Sequence, residues 1–106
     1  MSVADRPDVR VSASLEDPSR PVIHLAGELD LASVETTRTG IANYLTTAPT
    51  RVTFDLEELT FMDSSGIALL VEVSNDVGDV SLVNVSPIVH RVLEATGLLQ
   101  HFGLSP

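Results

Sequence analysis

The residues best suited to chemistry are four consecutive ones, Asp63, Ser64, Ser65 and Gly66, which lie directly before an apolar run. A short polar side chain at a helix start accepts hydrogen bonds from free backbone N–H groups, and the helix dipole favours negative charge there. A helix cap with a spare serine explains this stretch on its own. The same position also tolerates a phosphate, because phosphoserine adds about −1.5 to −2 charges beside backbone donors. The stretch is therefore a candidate phosphorylation site.

Hydrophobic periodicity predicts the elements that position this stretch. Strands are predicted at 9–15, 22–26, 52–56 and 80–85. Helices are predicted at 31–48, 64–77 and 87–96. The last helix has the clearest punctuation, with Ser86 as N-cap, Pro87 at the first helical position and Gly97 as a left-handed C-terminal cap. The segment 57–63 is predicted to be a connection.

This order of elements predicts one small α/β domain with a mixed, mostly parallel sheet of four to five strands and helices mainly on one face. The first two strands are close enough for a hairpin, and the strand–helix–strand units that follow give parallel strands. Open α/β sheets place their sites at the carboxyl ends of such strands. The segments 27–30, 63–66 and 84–86 are therefore expected to meet at one rim. Residues 1–8 are expected to form a loose N-terminal arm before a domain at 9–106.

The charge of the chain limits its partners. Six basic residues, all arginine, stand against 15 acidic ones, for a formal net charge of −9. Phosphate backbones and anionic lipid headgroups repel such a chain, so neither direct nucleic-acid binding nor membrane binding is expected. There is no cysteine, no apolar run near the roughly 18 residues that cross a bilayer, and no signal peptide at the start. We therefore expect a cytoplasmic protein.

Two catalytic interpretations do not fit the sequence. A phospho-aspartate receiver needs a lysine to stabilise its acyl phosphate, and the chain contains none. A serine hydrolase needs a Gly-x-Ser-x-Gly elbow and a base beside its nucleophile. Ser64 has no such elbow, and the histidines His24, His90 and His101 are not expected on the rim. The sequence therefore predicts no catalytic residues.

Metal and cofactor sites are not expected either. Glu57 and Glu58 are adjacent, and neighbouring side chains on an extended segment point apart, so they do not make a metal pair. No glycine-rich phosphate loop is present, so any ATP would be carried by a partner.

Three segments resemble one known family. The run 56–67, LEELTFMDSSGI, is similar to the phosphorylation loop of bacterial anti-sigma factor antagonists, which are stand-alone STAS domains. The segment 27–30, GELD, matches a second motif of that family, and 86–98 resembles its last helical region. The resemblance extends from about position 9 to position 102, and it implies a STAS-like domain in a regulatory protein that is not an enzyme.

The resemblance also implies a partner-switching mechanism. The unphosphorylated protein would bind an anti-sigma factor with serine kinase activity and thereby free a sigma factor. The kinase would phosphorylate the first serine after the aspartate, here Ser64, with Ser65 as a secondary candidate, and a serine phosphatase would reverse the reaction. The alternative is a STAS module that senses a ligand or acts as a scaffold without phosphorylation.

The rim and the second helix supply the expected partner-binding residues. These are Gly27, Glu28, Asp30, Asp63, Ser65, Gly66 and Leu69. Asp63 is expected to shape the loop and present charge, and Gly66 to let the partner backbone approach. Asp30 fits partner contact and capping of the first helix equally well. Leu69 belongs to an apolar strip that either docks a protein or is buried by neighbouring helices.

Overall fold

The computed structural model describes residues 9–104, so the predicted N-terminal arm at 1–8 lies outside the described residues. Within residues 9–104, four strands form one sheet: β1 (Val9–Ser14), β2 (Val22–Leu29), β3 (Val52–Met62) and β4 (Val80–Val83). Over the same range, three α-helices follow β2, β3 and β4 in turn: α1 (Val34–Ala42), α2 (Ser64–Val77) and α3 (Pro87–Ala95). A short 3-10 turn, Gln100–Phe102, comes after α3.

The strand order across the sheet is β1-β2-β3-β4. β1 runs antiparallel to β2, with Val9 opposite Gly27 and Ser14 opposite Val22. β3 is parallel to both of its neighbours, because α1 and α2 each return the chain to the same end of the sheet. The predicted mixed, mostly parallel sheet is confirmed, with four strands.

One face of the sheet carries the core. Ile23 and Leu25 of β2 are buried, whereas His24 between them is partly exposed on the opposite face. The buried side chains of the helices, such as Leu70 of α2, join Phe54 of β3 in one continuous cluster on the core face. Burial stabilises the fold by roughly 1.5–3 kcal/mol for each such large apolar side chain. The helices therefore cover one face of the sheet, as predicted, and the other face is polar.

α1 is shorter than the helix predicted at 31–48. It contains three threonines and a glycine, which lower its intrinsic helicity, so that packing must hold it. Its buried residues are Val34, Thr37 and Ile41. The chain at 31–33 is a turn, and turns resume after Ala42, where buried positions no longer recur at helical spacing. The prediction was right about the helix and wrong about its length.

β3 is longer than predicted, and the segment 57–63 is a strand up to Met62 and not a connection. β2 is also longer than predicted and extends past position 26 to Leu29. The pairing of β3 with β2 contains two irregularities, and at each of them β3 has one extra residue. The inward-facing side chains in this part of β3 are therefore Leu56, Leu59 and Met62, three residues apart. Bulges of this kind remove the period of two that identifies a strand in sequence.

β4 is shorter than the strand predicted at 80–85. It ends at Val83, because Asn84 adopts a left-handed conformation with φ 56 and turns the chain toward α3. α3 then begins as predicted, with the Ser86 side chain accepting a hydrogen bond from the Val89 N–H at 3.3 Å and with Pro87 at the helix start. Gly97 has φ 74 after the helix, which confirms the predicted left-handed residue.

Candidate functional site

Two of the three predicted rim segments meet. Leu29 at the end of β2 lies opposite Met62 at the end of β3. The Asp63 N–H donates a hydrogen bond to the Leu29 carbonyl at 3.2 Å, and the Thr60 hydroxyl donates to the Gly27 carbonyl at 3.0 Å. The segments 27–30 and 63–66 therefore form one surface, here called the switch rim.

The third segment, 84–86, does not join the switch rim. The Asn84 side-chain amide donates a hydrogen bond to Asp55 Oδ1 at 3.1 Å, near the middle of β3. Residues 56–62 of β3 separate Asp55 from Asp63, a span of up to about 26 Å at about 3.3 Å per residue. The predicted meeting of all three segments is wrong, because β4 ends long before β3 does.

The start of α2 is built around Asp63. Its side chain accepts a hydrogen bond from the Ser65 N–H at 2.8 Å, and its carbonyl accepts one from the Ile67 N–H at 3.2 Å. Asp63 is thus the N-cap of α2, with extended backbone angles of φ −109 and ψ −169.

Ser64 is the first residue of α2, and its side chain is exposed. Its hydroxyl has no hydrogen-bond partner within residues 9–104. Ser65 is only partly exposed, and its N–H is already bonded to Asp63. Of the two serines in this stretch, Ser64 offers the more accessible hydroxyl.

Gly66 packs the start of α2 onto the sheet. It is buried, and a Cβ at this position would lie 2.6 Å from Met62 Cγ and 2.7 Å from Leu29 Cγ. The expectation that Gly66 lets a partner backbone approach is corrected, because the residue faces the ends of β2 and β3 and not solvent. Glycine is required here for close packing between helix and strands.

Leu69 is also a core residue. Its exposed fraction is 0%, and that of Val73 one turn later is 4%, because α2 lies between the sheet and its neighbouring segments. The expectation that Leu69 binds a partner is therefore wrong. On α2 near the switch rim, the exposed residues after Ser64 are Ala68 and Glu72, at intervals of four.

Asp30 closes the turn that leads into α1. Its Oδ1 accepts hydrogen bonds from the Ala32 N–H at 3.0 Å and the Ser33 N–H at 3.1 Å. The buried Ser33 hydroxyl donates to the Glu28 carbonyl at 2.8 Å and accepts from the Asp30 N–H at 3.0 Å. Asp30 thus stabilises the turn before α1 and is not the N-cap of that helix, which is Ser33. The Glu28 side chain remains exposed.

Sequence reasoning missed Leu31, which the Asp30 turn projects into solvent. Its exposed fraction is 76%, although the sequence predicted it to be the first residue of the helix at 31–48. Phe61, at 43% exposure, lies on β3 opposite the exposed Glu28. An aspartate that accepts hydrogen bonds from the backbone two residues later is a turn signal, which would have placed Leu31 in a turn before the helix.

The switch rim carries carboxylates at Glu28, Asp30 and Asp63. Arg38 of α1 pairs instead with Glu72 of α2, with Nε 2.9 Å from a Glu72 carboxylate oxygen, and forms an ion pair with Glu35. The hydrogen bonds that Arg38 donates to Glu72, and then the one that it donates to Glu35, raise the pKa of Arg38 above its ordinary value. Arg38 is therefore paired with two carboxylates, and its ion pair with Glu72 connects α1 to α2.

Two histidine rings have partners elsewhere in the fold. His24 Nδ1 lies 3.2 Å from Asp55 Oδ2, and His101 Nε2 lies 3.1 Å from the Ser74 hydroxyl. Neither ring is therefore placed to act as a base for Ser64. Among residues 9–104, no group of three histidine or acidic side chains is arranged to hold a metal ion. In the same range, no helix combines the length and the apolar character that crossing a membrane requires.

Comparison with known proteins places this geometry in a family. The STAS domain family matches residues 9–106 of the chain. The anti-sigma F factor antagonist of Lysinibacillus sphaericus is 39% identical over 82 residues, which are 73% of this chain and 70% of that protein. An anti-sigma factor antagonist from Mycobacterium paratuberculosis has a similar crystal structure, with a TM-score of 0.82 and 23% identity. The match covers 100% of this chain and 91% of that one, and it shows that the two proteins share the fold.

The anti-sigma factor antagonist SpoIIAA is similar in two solved forms. The unphosphorylated form is 32% identical with a TM-score of 0.72, over 84% of this chain and 82% of that one. The phosphorylated form of the Bacillus protein is 30% identical with a TM-score of 0.66, over 84% and 85% of the two chains. Because the family model covers residues 9–106, the chain belongs to the STAS domain family, and anti-sigma factor antagonists are among its sequence relatives.

Proposed function

We propose that this chain is an anti-sigma factor antagonist that is switched off by phosphorylation of Ser64. The unphosphorylated chain binds an anti-sigma factor with serine kinase activity and frees a sigma factor, and a serine phosphatase restores the binding form. The observation that carries the proposal is the exposed Ser64 hydroxyl at the first position of α2, directly behind the Asp63 cap. The existence of SpoIIAA in unphosphorylated and phosphorylated forms supports the same covalent switch here.

The chain supplies the acceptor hydroxyl and the kinase supplies the remaining chemistry. Ser64 Oγ attacks the γ-phosphorus of ATP held by the kinase, and an O–P bond forms as the bond to ADP breaks. The hydroxyl proton passes to a base of the kinase. At the phosphatase, water attacks the phosphoserine and releases inorganic phosphate, which regenerates the hydroxyl. The chain itself needs neither a nucleotide nor a metal and is not an enzyme in this cycle.

The position of Ser64 lets the fold survive the modification. A phosphate at a helix start lies beside backbone N–H groups and at the favourable end of the helix dipole. The Asp63 cap bonds to Ser65 and not to the Ser64 hydroxyl, so phosphorylation does not require that hydrogen bond to break. The change is therefore one of surface charge.

The same phosphate removes complementarity to the partner. It adds about −1.5 to −2 charges beside Glu28 and Asp63, which are already negative. A partner surface that accepts a neutral hydroxyl must then bury a dianion, which costs free energy unless new cations are supplied. The partner-binding surface in this proposal comprises Gly27, Glu28, Asp30, Asp63 and Ser65 together with the exposed Leu31.

The test combines phosphorylation and binding. Purified chain is incubated with ATP and each kinase-type anti-sigma factor encoded in the same genome, and the modified residue is located by mass spectrometry. We expect one phosphate, on Ser64, and loss of the complex with that kinase. If no such kinase modifies Ser64 and none binds the unmodified chain, the proposal is wrong, and a scaffolding or ligand-sensing STAS module remains the explanation.

A further inference from the structure

The second half of β3 has a strand on only one side. β4 pairs with Val52 through Asp55, whereas β3 continues through residues 56–62. Over those residues β2 lies on one side, and in the part of the chain that the structure describes no strand lies on the other. Within the described residues, β4 therefore leaves the backbone groups of 56–62 that point away from β2 without a strand partner. We call residues 56–62 on this side the open edge.

The open edge exists because β4 is ended by a fixed turn. Asn84 has φ 56, which directs the chain out of the sheet, and its side chain is tied to Asp55 Oδ1 at 3.1 Å. The Glu57 N–H donates to the same Asp55 oxygen at 3.1 Å, so the free part of the backbone begins at Glu58. A strand added here would continue the line of β4 past Val83.

The side chains along the open edge are acidic at its start and apolar at its end. Glu57 and Glu58 are exposed, and Phe61 is 43% exposed. Next to them is a cavity of about 180 Å³. Its lining residues are His24, Leu25, Asp55, Glu57 and Glu58.

Asp55 contributes to this cavity a negative charge that is present at neutral pH. Partial burial raises the pKa of Asp55. Hydrogen bonds from the Asn84 amide and the Glu57 N–H, together with the nearby His24, lower the pKa by more than burial raises it, so the pKa lies below its ordinary value. Three carboxylates thus surround the cavity at neutral pH, with one imidazole 3.2 Å from Asp55.

We propose that the open edge binds a short, basic, extended segment of a partner protein, which adds to the sheet as a strand in line with β4. Backbone groups from Glu58 to Met62 pair with the segment, and an arginine or lysine side chain enters the cavity beside Asp55, Glu57 and Glu58. Added strands of this kind gain affinity from main-chain hydrogen bonds and specificity from pockets for alternate side chains. The two bulges in β3 limit the paired length to a few residues.

Charge selects this occupant over a second copy of the chain. Symmetric pairing of two open edges would bring Glu57 and Glu58 against the same residues of the other copy, and each copy carries a net charge of −9. A nucleic acid or an anionic lipid is repelled for the same reason. The proposal does not rest on the phosphorylation of Ser64, because the acidic part of the open edge lies at the level where β4 ends. Only the far end of the open edge, at Met62, approaches the switch rim.

The experiment pans a displayed library of random seven-residue segments against the whole chain, and synthetic copies of the selected segments are measured by NMR. We expect arginine or lysine at alternate positions and slowed amide exchange between Glu58 and Met62. N-methylation of alternate backbone amides should weaken the peptide at least tenfold, because it removes donors to the sheet.

A charge variant tests the acidic part of the edge. Replacing Glu57→Gln and Glu58→Gln together should weaken binding about tenfold, as two pairs of up to about 1 kcal/mol each imply. The matched variant Glu16→Gln with Asp76→Asn removes two exposed charges elsewhere and should change binding less than about twofold. Failure to enrich any basic segment, or binding that N-methylation leaves unchanged, overturns the proposal. Self-association of the chain through the same residues also overturns it, in favour of a second copy.

Discussion

The Asp63 carboxylate accepts its hydrogen bond from the Ser65 N–H at 2.8 Å and so passes over the intervening Ser64, whose hydroxyl is left exposed. Cap and candidate phosphoacceptor are therefore adjacent residues with separate tasks. Because of this separation, the stability of α2 and the proposed binding of a partner to the switch rim can be tested individually.

The first prediction concerns the cap. Asp63→Ala should lower the free energy of unfolding by about 0.5–2 kcal/mol, because the Ser65 N–H loses its acceptor. Asp63→Asn keeps an acceptor oxygen and should stay within a few tenths of a kcal/mol of the natural chain. Urea unfolding of the three proteins measures the difference. Equal stability of the alanine and asparagine variants would show that the cap contributes nothing.

The second prediction concerns Ser64. Ser64→Ala should fold, bind the anti-sigma partner and resist phosphorylation, so that sigma release becomes constitutive. Ser64→Asp should melt no lower than Ser64→Ala, since the helix dipole favours a negative charge there, and should bind the partner poorly. Thermal melts and partner titrations of both variants are the measurement. Equal affinity of the two variants would remove Ser64 from the mechanism.

The third prediction concerns Leu31 on the switch rim. Its side chain is 76% exposed, so Leu31→Ala should change stability by less than about 0.5 kcal/mol while it weakens partner binding about fivefold or more. Leu15→Ala is the matched control, because Leu15 is 50% exposed in the turn between β1 and β2. Isothermal titration of both variants distinguishes a docking side chain from an exposed leucine without function.

The fourth prediction concerns Gly66. Gly66→Ala places a Cβ where Met62 Cγ and Leu29 Cγ already lie, so the start of α2 must move. We expect a loss of about 1–3 kcal/mol of stability and weaker partner binding as a consequence. Ala68→Gly on the exposed face of α2 is a useful contrast, since it costs only helix propensity, roughly 1 kcal/mol. Gly66→Ala without any loss would contradict the close packing.

The fifth prediction concerns pH. The folded pKa of Asp55 lies below its ordinary value, so its ionised form stabilises the native state above the unfolded pKa of about 4. That contribution disappears as pH falls through the folded pKa. Asp55→Asn should therefore be less stable than the natural chain at pH 7, and the gap should narrow toward pH 3. A constant gap across urea titrations from pH 7 to pH 3 would exclude this linkage.

Local signals predicted much of the fold. Ser86, Pro87 and Gly97 delimit α3 because capping depends on residues near one another in sequence. The end of β3 was missed, since bulges are defined by pairing with β2 and the sequence of β3 alone shows only lost alternation. The burial of Gly66 and Leu69 depends likewise on where α2 meets the sheet, so sequence placed both on the wrong side.

The close packing of α2 on the sheet also limits which positions can vary in sequence among related proteins of one cell. Leu29, Met62 and Gly66 are locked together by packing, whereas Leu31 and Ala68 beside them face solvent. Duplicated copies of such a domain can therefore acquire separate partners by varying only the outward positions. Parallel signalling routes would then be insulated from cross-talk without any change to the scaffold beneath them.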